Sequence, residues 1–156
     1  MKLDIDIQNA SDQGCATPAD EMIAGWIRAA LEGRAENAEI SVRLVDEDEG
    51  RALNFRYRGK DHATNVLSFP AGDTGMVTPR PLGDLVICAP VVAREAEQQG
   101  KPADAHWAHL CVHGVLHLLG YDHQQAPATL EMETLEVAIL ARLGYQDPYR
   151  ADARGQ

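Results

Sequence analysis

Three histidines lie close together in the sequence and could bind one metal ion. The segment 113–123 reads HGVLHLLGYDH and holds three of the six histidines in the chain. On a helix, His113 and His117 project from one face one turn apart, so a single ion can bridge their imidazoles. Gly120 can adopt the left-handed conformation that ends a helix, and this would bring His123 round to the same ion.

The ligand types indicate what kind of site this would be. Structural zinc sites are usually closed by four ligands, mostly cysteine, whereas three histidines leave a fourth position open for water or substrate. The pattern therefore predicts one catalytic Zn²⁺ per chain, held by His113, His117 and His123. Because a fourth histidine would close the open position, we interpret His109 as a residue that orients a ligand or lies on the surface.

The residue after the first histidine separates this pattern from that of a protease. The same histidine spacing occurs in metzincin proteases, where a Glu directly follows the first His and acts as general base. Here that position is Gly114, so a protease is disfavoured, and it would have to recruit a base such as Asp122. A phosphodiester demands less of the protein, because the metal binds a phosphoryl oxygen and activates water. The base could then be Asp122, the metal hydroxide or the 2′-OH of RNA, and Asp122 could equally serve to orient a histidine.

Two stretches of the chain resemble a known family. The run 113–123, preceded by Trp107-Ala108-His109-Leu110, resembles the metal motif of the YbeY family of bacterial endoribonucleases and rRNA maturation factors. The stretch 53–70, LNFRYRGKDHATNVLSFP, is similar to the other signature of that family, whose single functional arginine falls on Arg58. Gly83-Asp84-Leu85 and Pro148-Tyr149 also fit.

The resemblance implies a metal-dependent, single-strand-specific endoribonuclease. Its implied role is maturation of the 3′ end of 16S rRNA and ribosome quality control, with single-stranded RNA and the small ribosomal subunit as partners and no DNA expected. Arg58 would bind the scissile phosphate or stabilise charge in the transition state, unless it only caps its own helix. Arg56 and Lys60 would contact the substrate. The alternative is a non-catalytic assembly factor that binds RNA and in which the ion only braces the fold.

The overall charge argues against a general nucleic-acid-binding protein. The net charge is −10 and the pI is near 4.9, whereas neutralisation of phosphates is the main sequence-independent source of affinity. The basic residues are unevenly placed, since Arg51, Arg56, Arg58 and Lys60 lie close together among the 14 in the chain. They predict a local basic rim beside the metal, although such a run can also be a solvated helix face.

Length and composition predict one domain in a reducing compartment. We expect a domain at 1–145 and a loose tail at 146–156 of the 156 residues. The chain has no membrane-length apolar stretch, and its first residues alternate like a strand instead of forming a signal peptide, so we expect a cytoplasmic protein without membrane contact. The three cysteines are an odd number without zinc spacing and should be buried, reduced thiols.

Hydrophobic periodicity predicts the order strand, helix, strand, helix, two strands and three helices. Strands are expected at 3–7, 40–44, 66–69 and 85–88, and helices at 18–32, 47–57, 90–99, 102–119 and 127–143. Thr17 is expected to cap the first helix, and Asp46 the second, with Glu49 at the capping-box position. The Gly- and Pro-rich stretch 71–82 is expected to be a mobile loop over the site. The fold class is α/β (α+β), with a single small mixed four-stranded sheet packed with about five to six helices, the metal-binding helix being central. Only the family resemblance implies that Arg58 and the histidines meet.

Overall fold

The computed structural model describes residues 2–12, 16–72, 79–121 and 126–149. Within these ranges it contains four strands and five helices in the predicted order. The strands are β1 (Lys2–Asn9), β2 (Asn37–Val45), β3 (Val66–Pro70) and β4 (Arg80–Cys88). The helices are α1 (Asp20–Leu31), α2 (Glu47–Arg58), α3 (Ala89–Gln99), α4 (Ala103–Leu118) and α5 (Ala126–Arg142).

The four strands form one mixed sheet in the order β1-β2-β4-β3. β1 pairs in parallel with β2 and β2 in parallel with β4, while the edge strand β3 runs antiparallel to β4. Parallel neighbours require a crossover connection, and α1 lies in the crossover between β1 and β2. The predicted fold class, a small mixed four-stranded sheet with about five to six helices, is confirmed.

The larger core lies on the face of the sheet that meets α1, α4 and α5. Alternate residues of β2, Ile40, Val42 and Leu44, point into this core and are at most 2 % exposed, as period-two alternation predicts. On the opposite face, Leu53 of α2 packs against a smaller apolar cluster that includes Val86 of β4. The sheet therefore separates α2 from the large core.

Helix α4 is the centre of the large core. It contacts α1, α3, α5, β3 and β4, and apolar residues cover most of its circumference, including Trp107, Val112 and Leu116. A helix that is apolar nearly all round is expected to be buried. The prediction that the histidine-bearing helix is central is confirmed, and its histidines are held on a rigid element.

Strand β4 begins earlier than the sequence predicts. It starts at Arg80 and not near Leu85, so the end of the predicted loop 71–82 is strand, and residues 73–78 lie outside the described part. A register shift opposite Glu39 and Ile40 accommodates Pro81 and Gly83. Gly83 has φ +136°, and a Cβ there would lie 2.2 Å from the carbonyl oxygen of Phe69. Proline and glycine, which indicate a loop locally, mark a bulged strand here.

Two predicted helix caps are wrong, although the helices themselves are present. The Asp46 side chain does not cap α2; its carboxylate accepts hydrogen bonds from Ser11 Oγ (2.7 Å) and from the backbone N–H of Asp12 (2.9 Å). Glu49, predicted to complete a capping box, instead pairs with Arg43 at 2.6 Å. Likewise Thr17 accepts a hydrogen bond from Asn9 and does not cap α1. Long-range partners have displaced the local ones.

Two of the cysteines are buried, and the first residues of the expected C-terminal tail contact the domain. Cys88 and Cys111 are buried free thiols, as predicted, while Cys15 lies outside the described residues. Residues 146–149, expected to begin a loose tail, make contacts with the domain: Lys101 Nζ donates to the carbonyl of Pro148 at 3.4 Å, and Tyr149 reaches α4 and α5. In the described ranges, none of the helices has the length and apolarity needed to cross a membrane.

Candidate metal centre and its cleft

Helix α4 presents His109, His113 and His117 along one face. Each follows the last by one turn, and all three are partly exposed, whereas most other residues in the second half of α4 are buried. The two nitrogens Nε2 of His113 and Nε2 of His117 face each other at 3.2 Å. The shared projection that the sequence predicts for His113 and His117 is therefore present.

The chain turns away from α4 in the predicted manner. Gly120 has φ +102°, and the backbone N–H of Tyr121 donates to the carbonyl of Leu116 at 3.0 Å. A glycine in this conformation satisfies helix-terminal carbonyls and reverses the chain. His123 and Asp122 lie outside the described residues, so the third predicted ligand remains a prediction.

A buried carboxylate from another helix supports the histidines. Glu136 of α5 is 0 % exposed, and its Oε2 accepts a hydrogen bond from Nδ1–H of His113. Its other oxygen accepts a hydrogen bond from the Tyr149 hydroxyl and lies 3.7 Å from Nε2 of His109. Thus α4, α5 and the C-terminal segment meet at one carboxylate.

The sequence prediction missed Glu136. It lies in the acidic run at 131–136, and such runs are usually solvated. A signal was nevertheless present, because Glu136 follows Met132 by one turn and precedes Ile139 and Leu140 by one turn, all three of which are buried. A single carboxylate on an otherwise apolar stripe is almost never buried without partners.

The environment sets the charge states of this cluster. Burial tends to raise the pKa of Glu136, but hydrogen bonds from His109, His113 and Tyr149 outweigh it and lower that pKa to about 2. Burial raises the pKa of Tyr149, as does its hydrogen bond to Glu136. Burial also lowers the pKa of His109, against the opposing effect of Glu136. At neutral pH the cluster therefore consists of an ionised carboxylate, a neutral phenol and a neutral imidazole.

The donor atoms fit a metal ion in two ways. Ligand atoms of His109, His113 and Glu136 all lie within 4.8 Å of one another and could hold an ion. In the second grouping, Nδ1–H of His113 donates to Glu136, which leaves the lone pair of its Nε2 directed toward Nε2 of His117. Nitrogens about 2.0 Å from a tetrahedral zinc ion are roughly 3.3 Å apart, close to the 3.2 Å between these two atoms.

Gly114 is a packing position. A Cβ at residue 114 would lie 2.7 Å from Cδ2 of Leu85 and 3.4 Å from Oγ of Ser68, and Leu85 is fully buried. The Ser68 hydroxyl also donates to the carbonyl of Gly114 at 3.3 Å. A glutamate at this position would thus be directed into the sheet and not toward the histidines.

Arg58 and the histidines line the same cleft. Arg58 is the last residue of α2, which ends at Gly59 in the left-handed conformation, and its side chain is exposed. The cleft has a volume of about 710 Å³ and is lined by residues of α2, β3, α4 and the C-terminal segment, among them Arg58, His109, His113, His117 and Tyr149. None of its described lining residues is acidic, although the chain carries 24 acidic residues.

The other basic residues of the predicted rim differ in their surroundings. Arg51 pairs with Asp61 at 2.7 Å, so it is not an unpaired phosphate contact. Arg56 lies over the ring of Tyr57 with its guanidinium carbon 5.3 Å from the ring centroid. Arg56 and Lys60 are exposed, but neither is among the described residues that line the cleft. Their role in substrate binding stays a prediction.

Buried polar side chains hold the segment between Arg58 and β3. Asn54, 1 % exposed, donates to the carbonyl of His62 at 2.8 Å. At the other end, Asn65 donates to Glu95 at 3.0 Å, and Glu95 also contacts Nε2 of His106 at 2.9 Å. These bonds connect the segment to α2, α3 and α4. Because the segment is anchored at both ends, it holds Arg58 in place relative to α4.

Comparison with known proteins gives a consistent result. The family model described as Endoribonuclease YbeY matches residues 6–144. A protein named Endoribonuclease YbeY from Pseudomonas putida (strain W619) is 55% identical over 151 residues, which cover 96% of this chain and 95% of that protein. Another of the same name from Cellvibrio japonicus is 55% identical over 149 residues, with 95% of this chain and 82% of that protein covered.

The fold also has a solved counterpart. A solution structure of a protein from Thermotoga maritima superposes with a TM-score of 0.58 at 21% sequence identity, covering 94% of this chain and 99% of that one. At this identity the similarity concerns the fold alone.

Proposed function

The chain belongs to the family described as Endoribonuclease YbeY, and on that premise we propose that it is a zinc-dependent endoribonuclease that cleaves single-stranded RNA. Its proposed place is maturation of the 3′ end of 16S rRNA and ribosome quality control in the cytoplasm, with the small ribosomal subunit as partner. The observation that carries the proposal is the cleft in which Arg58 joins His113 and His117.

We assign the ion to His113, His117 and His123. Neutral imidazoles suit zinc, whereas Mg²⁺ and Ca²⁺ prefer oxygen ligands. We favour the pair His113 and His117 over the grouping with Glu136, because a His113 nitrogen that donates to Glu136 is not available to a metal while that bond exists. When bound, zinc supplies a Lewis acid for a phosphoryl oxygen and lowers the pKa of water.

The residues around the ligands hold one tautomer of His113. A carboxylate that accepts from the distal nitrogen of a metal-binding histidine fixes the orientation of the ring and increases its basicity. Glu136 takes this position, and the Tyr149 hydroxyl satisfies its second oxygen. His109, which lies against Tyr149 with ring centroids 5.3 Å apart, supports this arrangement from one turn earlier in α4.

Arg58 is the proposed contact for the scissile phosphate. Its planar guanidinium can donate to two phosphate oxygens at once, and as the last residue of α2 it lines the same cleft as the histidines of α4. Stabilisation of charge that develops on the phosphate is a large catalytic effect when the donor is held in place. Arg56 and Lys60, both exposed, would add electrostatic affinity for neighbouring phosphates.

The surroundings of the cleft favour a phosphodiester over a peptide. Peptide hydrolysis of the metzincin type needs a carboxylate after the first histidine, and Gly114 at that position packs against Leu85. The described lining of the cleft has no carboxylate, so its local repulsion of a polyanion is weaker than the net charge of −10 suggests. RNA also provides its own 2′-OH as a nucleophile.

The experiment is cleavage of a labelled single-stranded RNA by purified protein, with and without a chelator. We expect cleavage that chelation abolishes, that added zinc restores and that His117→Ala removes. A duplex of the same sequence and a casein substrate should remain intact. Binding of RNA without any cleavage, at full metal content, would indicate the assembly-factor alternative, and chelator-sensitive peptide cleavage would indicate a protease.

A further inference from the structure

We propose that Tyr57 and Tyr149 are stacking platforms for the bases of the RNA strand that enters the cleft. This inference rests on the function proposed above and names the residues that would select an unpaired strand. The two tyrosines come from different parts of the chain, and both line the cleft together with Arg58, His113 and His117.

Tyr57 presents an exposed ring on a firm support. The residue is 56 % exposed although it lines the cleft, and its ring packs edge-on against Phe69 of β3 with centroids 5.2 Å apart. Edge-to-face packing of this kind holds an aromatic ring in one orientation. Arg56 lies over one face of the same ring, so a base would stack on the other face, with a positive charge across the ring from it.

Tyr149 presents a second ring from the C-terminal segment. It is 42 % exposed, its hydroxyl is anchored by the buried Glu136, and its ring lies edge-on to His109 at an interplanar angle of 85°. A surface tyrosine anchored through its hydroxyl to a buried carboxylate loses little further freedom when a base stacks on it. Preorganisation of this kind reduces the entropic cost of binding.

Stacking also accounts for how an acidic protein can hold RNA. Proteins that bind single strands combine a cationic groove with aromatic side chains, and each stacked base contributes independently of its identity. The basic residues here are few, and Arg51 is already paired, so aromatic contacts would carry a larger share of the affinity. Bases in a duplex are stacked on each other and cannot use such platforms, which would make the same two rings a source of strand selectivity.

The first test measures RNA affinity of the full-length zinc-loaded protein by fluorescence anisotropy. The probe is a short single-stranded RNA with 2′-O-methyl groups, which prevent attack by the 2′ oxygen. We expect Tyr57→Leu and Tyr149→Leu each to weaken binding by about tenfold, with zinc content unchanged for Tyr57→Leu. Tyr149→Phe should bind more tightly than Tyr149→Leu, because it keeps the ring and loses only the hydroxyl that anchors it to Glu136.

Phe55→Leu is the matched control. Phe55 is an aromatic residue of the same helix and is 58 % exposed, but it is not among the described residues lining the cleft. Its replacement should leave RNA affinity unchanged. If the tyrosine variants bind no more weakly than Phe55→Leu, the stacking proposal is wrong.

A second test varies the RNA and compares the wild type with the two leucine variants. Single abasic nucleotides are placed in turn along the strand, and two positions should weaken binding to the wild type. At each of these positions, the abasic nucleotide should no longer weaken binding to one of the two leucine variants. This result would assign one base to one tyrosine ring. Uniform sensitivity along the strand would overturn the inference.

The two levels of proposal fail in different ways. If wild-type protein cleaves RNA in a zinc- and His117-dependent manner while neither tyrosine nor any abasic position affects binding, only the stacking inference falls. If the wild type neither binds nor cleaves single-stranded RNA, the proposed function falls and the stacking inference with it.

Discussion

The carboxylate of Glu136 accepts a hydrogen bond from Nδ1–H of His113, and this bond joins α5 to the face of α4 that bears the histidines. Glu136 is fully buried and the His113 side chain is 22% exposed, so a carboxylate inside the core orients an imidazole at its edge. The Tyr149 hydroxyl occupies the second carboxylate oxygen. The relationship makes Glu136 a positioning residue for the proposed zinc ligand, and it yields the first two predictions.

Removing the carboxylate should weaken metal binding without removing a ligand. A group that accepts a hydrogen bond from a metal-bound histidine typically contributes about ten- to a hundredfold to metal affinity, so we expect Glu136→Gln to bind zinc about tenfold or more weakly. The measurement is competition with a chromophoric chelator. Glu131→Gln is the control, because Glu131 is exposed on the same helix. Complete loss of zinc from Glu136→Gln would instead make Glu136 a ligand.

The metal-free protein should lose stability in acid through the same group. Glu136 has a pKa near 2, below its ordinary value of 4.5, so its contribution is fully present above about pH 4.5 and is lost as the pH falls toward 2. The difference in free energy of unfolding between wild type and Glu136→Gln should therefore shrink over this range. Urea unfolding at a series of pH values measures it, and a constant difference would contradict the assigned interactions.

The protein should bind about one zinc per chain through the three predicted histidines. Alanine at His113, His117 or His123 should remove most of the metal, because three donors are the minimum for such a site. His62→Ala should keep it, since His62 is exposed and its ring is hydrogen-bonded to the carbonyl of Ala63. Binding should fail as the pH falls below about 6.5, where free imidazoles protonate. Elemental analysis provides the readout, and full occupancy in His117→Ala would exclude the assignment.

Arg58 should affect catalysis and not metal content. Arg58→Ala is expected to lower the cleavage rate by about two to three orders of magnitude, which is typical of a lost transition-state contact. Arg58→Lys should recover little, because the ammonium keeps the charge but not the bidentate geometry. Lys60→Ala, the comparison variant, should mainly weaken binding and reduce its salt dependence. Wild-type rates in Arg58→Ala would show that the arginine is only structural.

Gly114 should be a packing requirement of the sheet. Gly114→Ala places a Cβ 2.7 Å from Cδ2 of the buried Leu85, and overpacking of this kind costs about 1 to 3 kcal/mol. Gly25→Ala, a helical glycine with nothing within 4 Å of its Cβ position, should instead stabilise by about 0.5 to 1 kcal/mol. Chemical denaturation compares the two, and equal effects would contradict the close approach of α4 to β4.

Sequence alone determined the order of the elements and the histidine pair. Both depend on local periodicity. Alternation of apolar residues predicts β2, and the apolar residues Ile23, Trp26 and Ile27 at helical spacing predict α1. The spacing of His113 and His117 places them on one helical face. These features concern residues within one or two turns of each other, where side-chain direction follows from backbone geometry alone. For the same reason Gly120 could be recognised as the end of α4.

Tertiary structure decided what surrounds the histidines. Glu136, Tyr149 and Arg58 reach the cleft from α5, the C-terminal segment and α2, and no local pattern records which elements will pack together. Local and distant partners compete in the same way for Asp46 and Glu49. Instead of forming the predicted capping box, Asp46 binds Ser11 and Glu49 binds Arg43. Polar side chains have several partners of similar energy within reach, and burial selects among them only when the chain has folded.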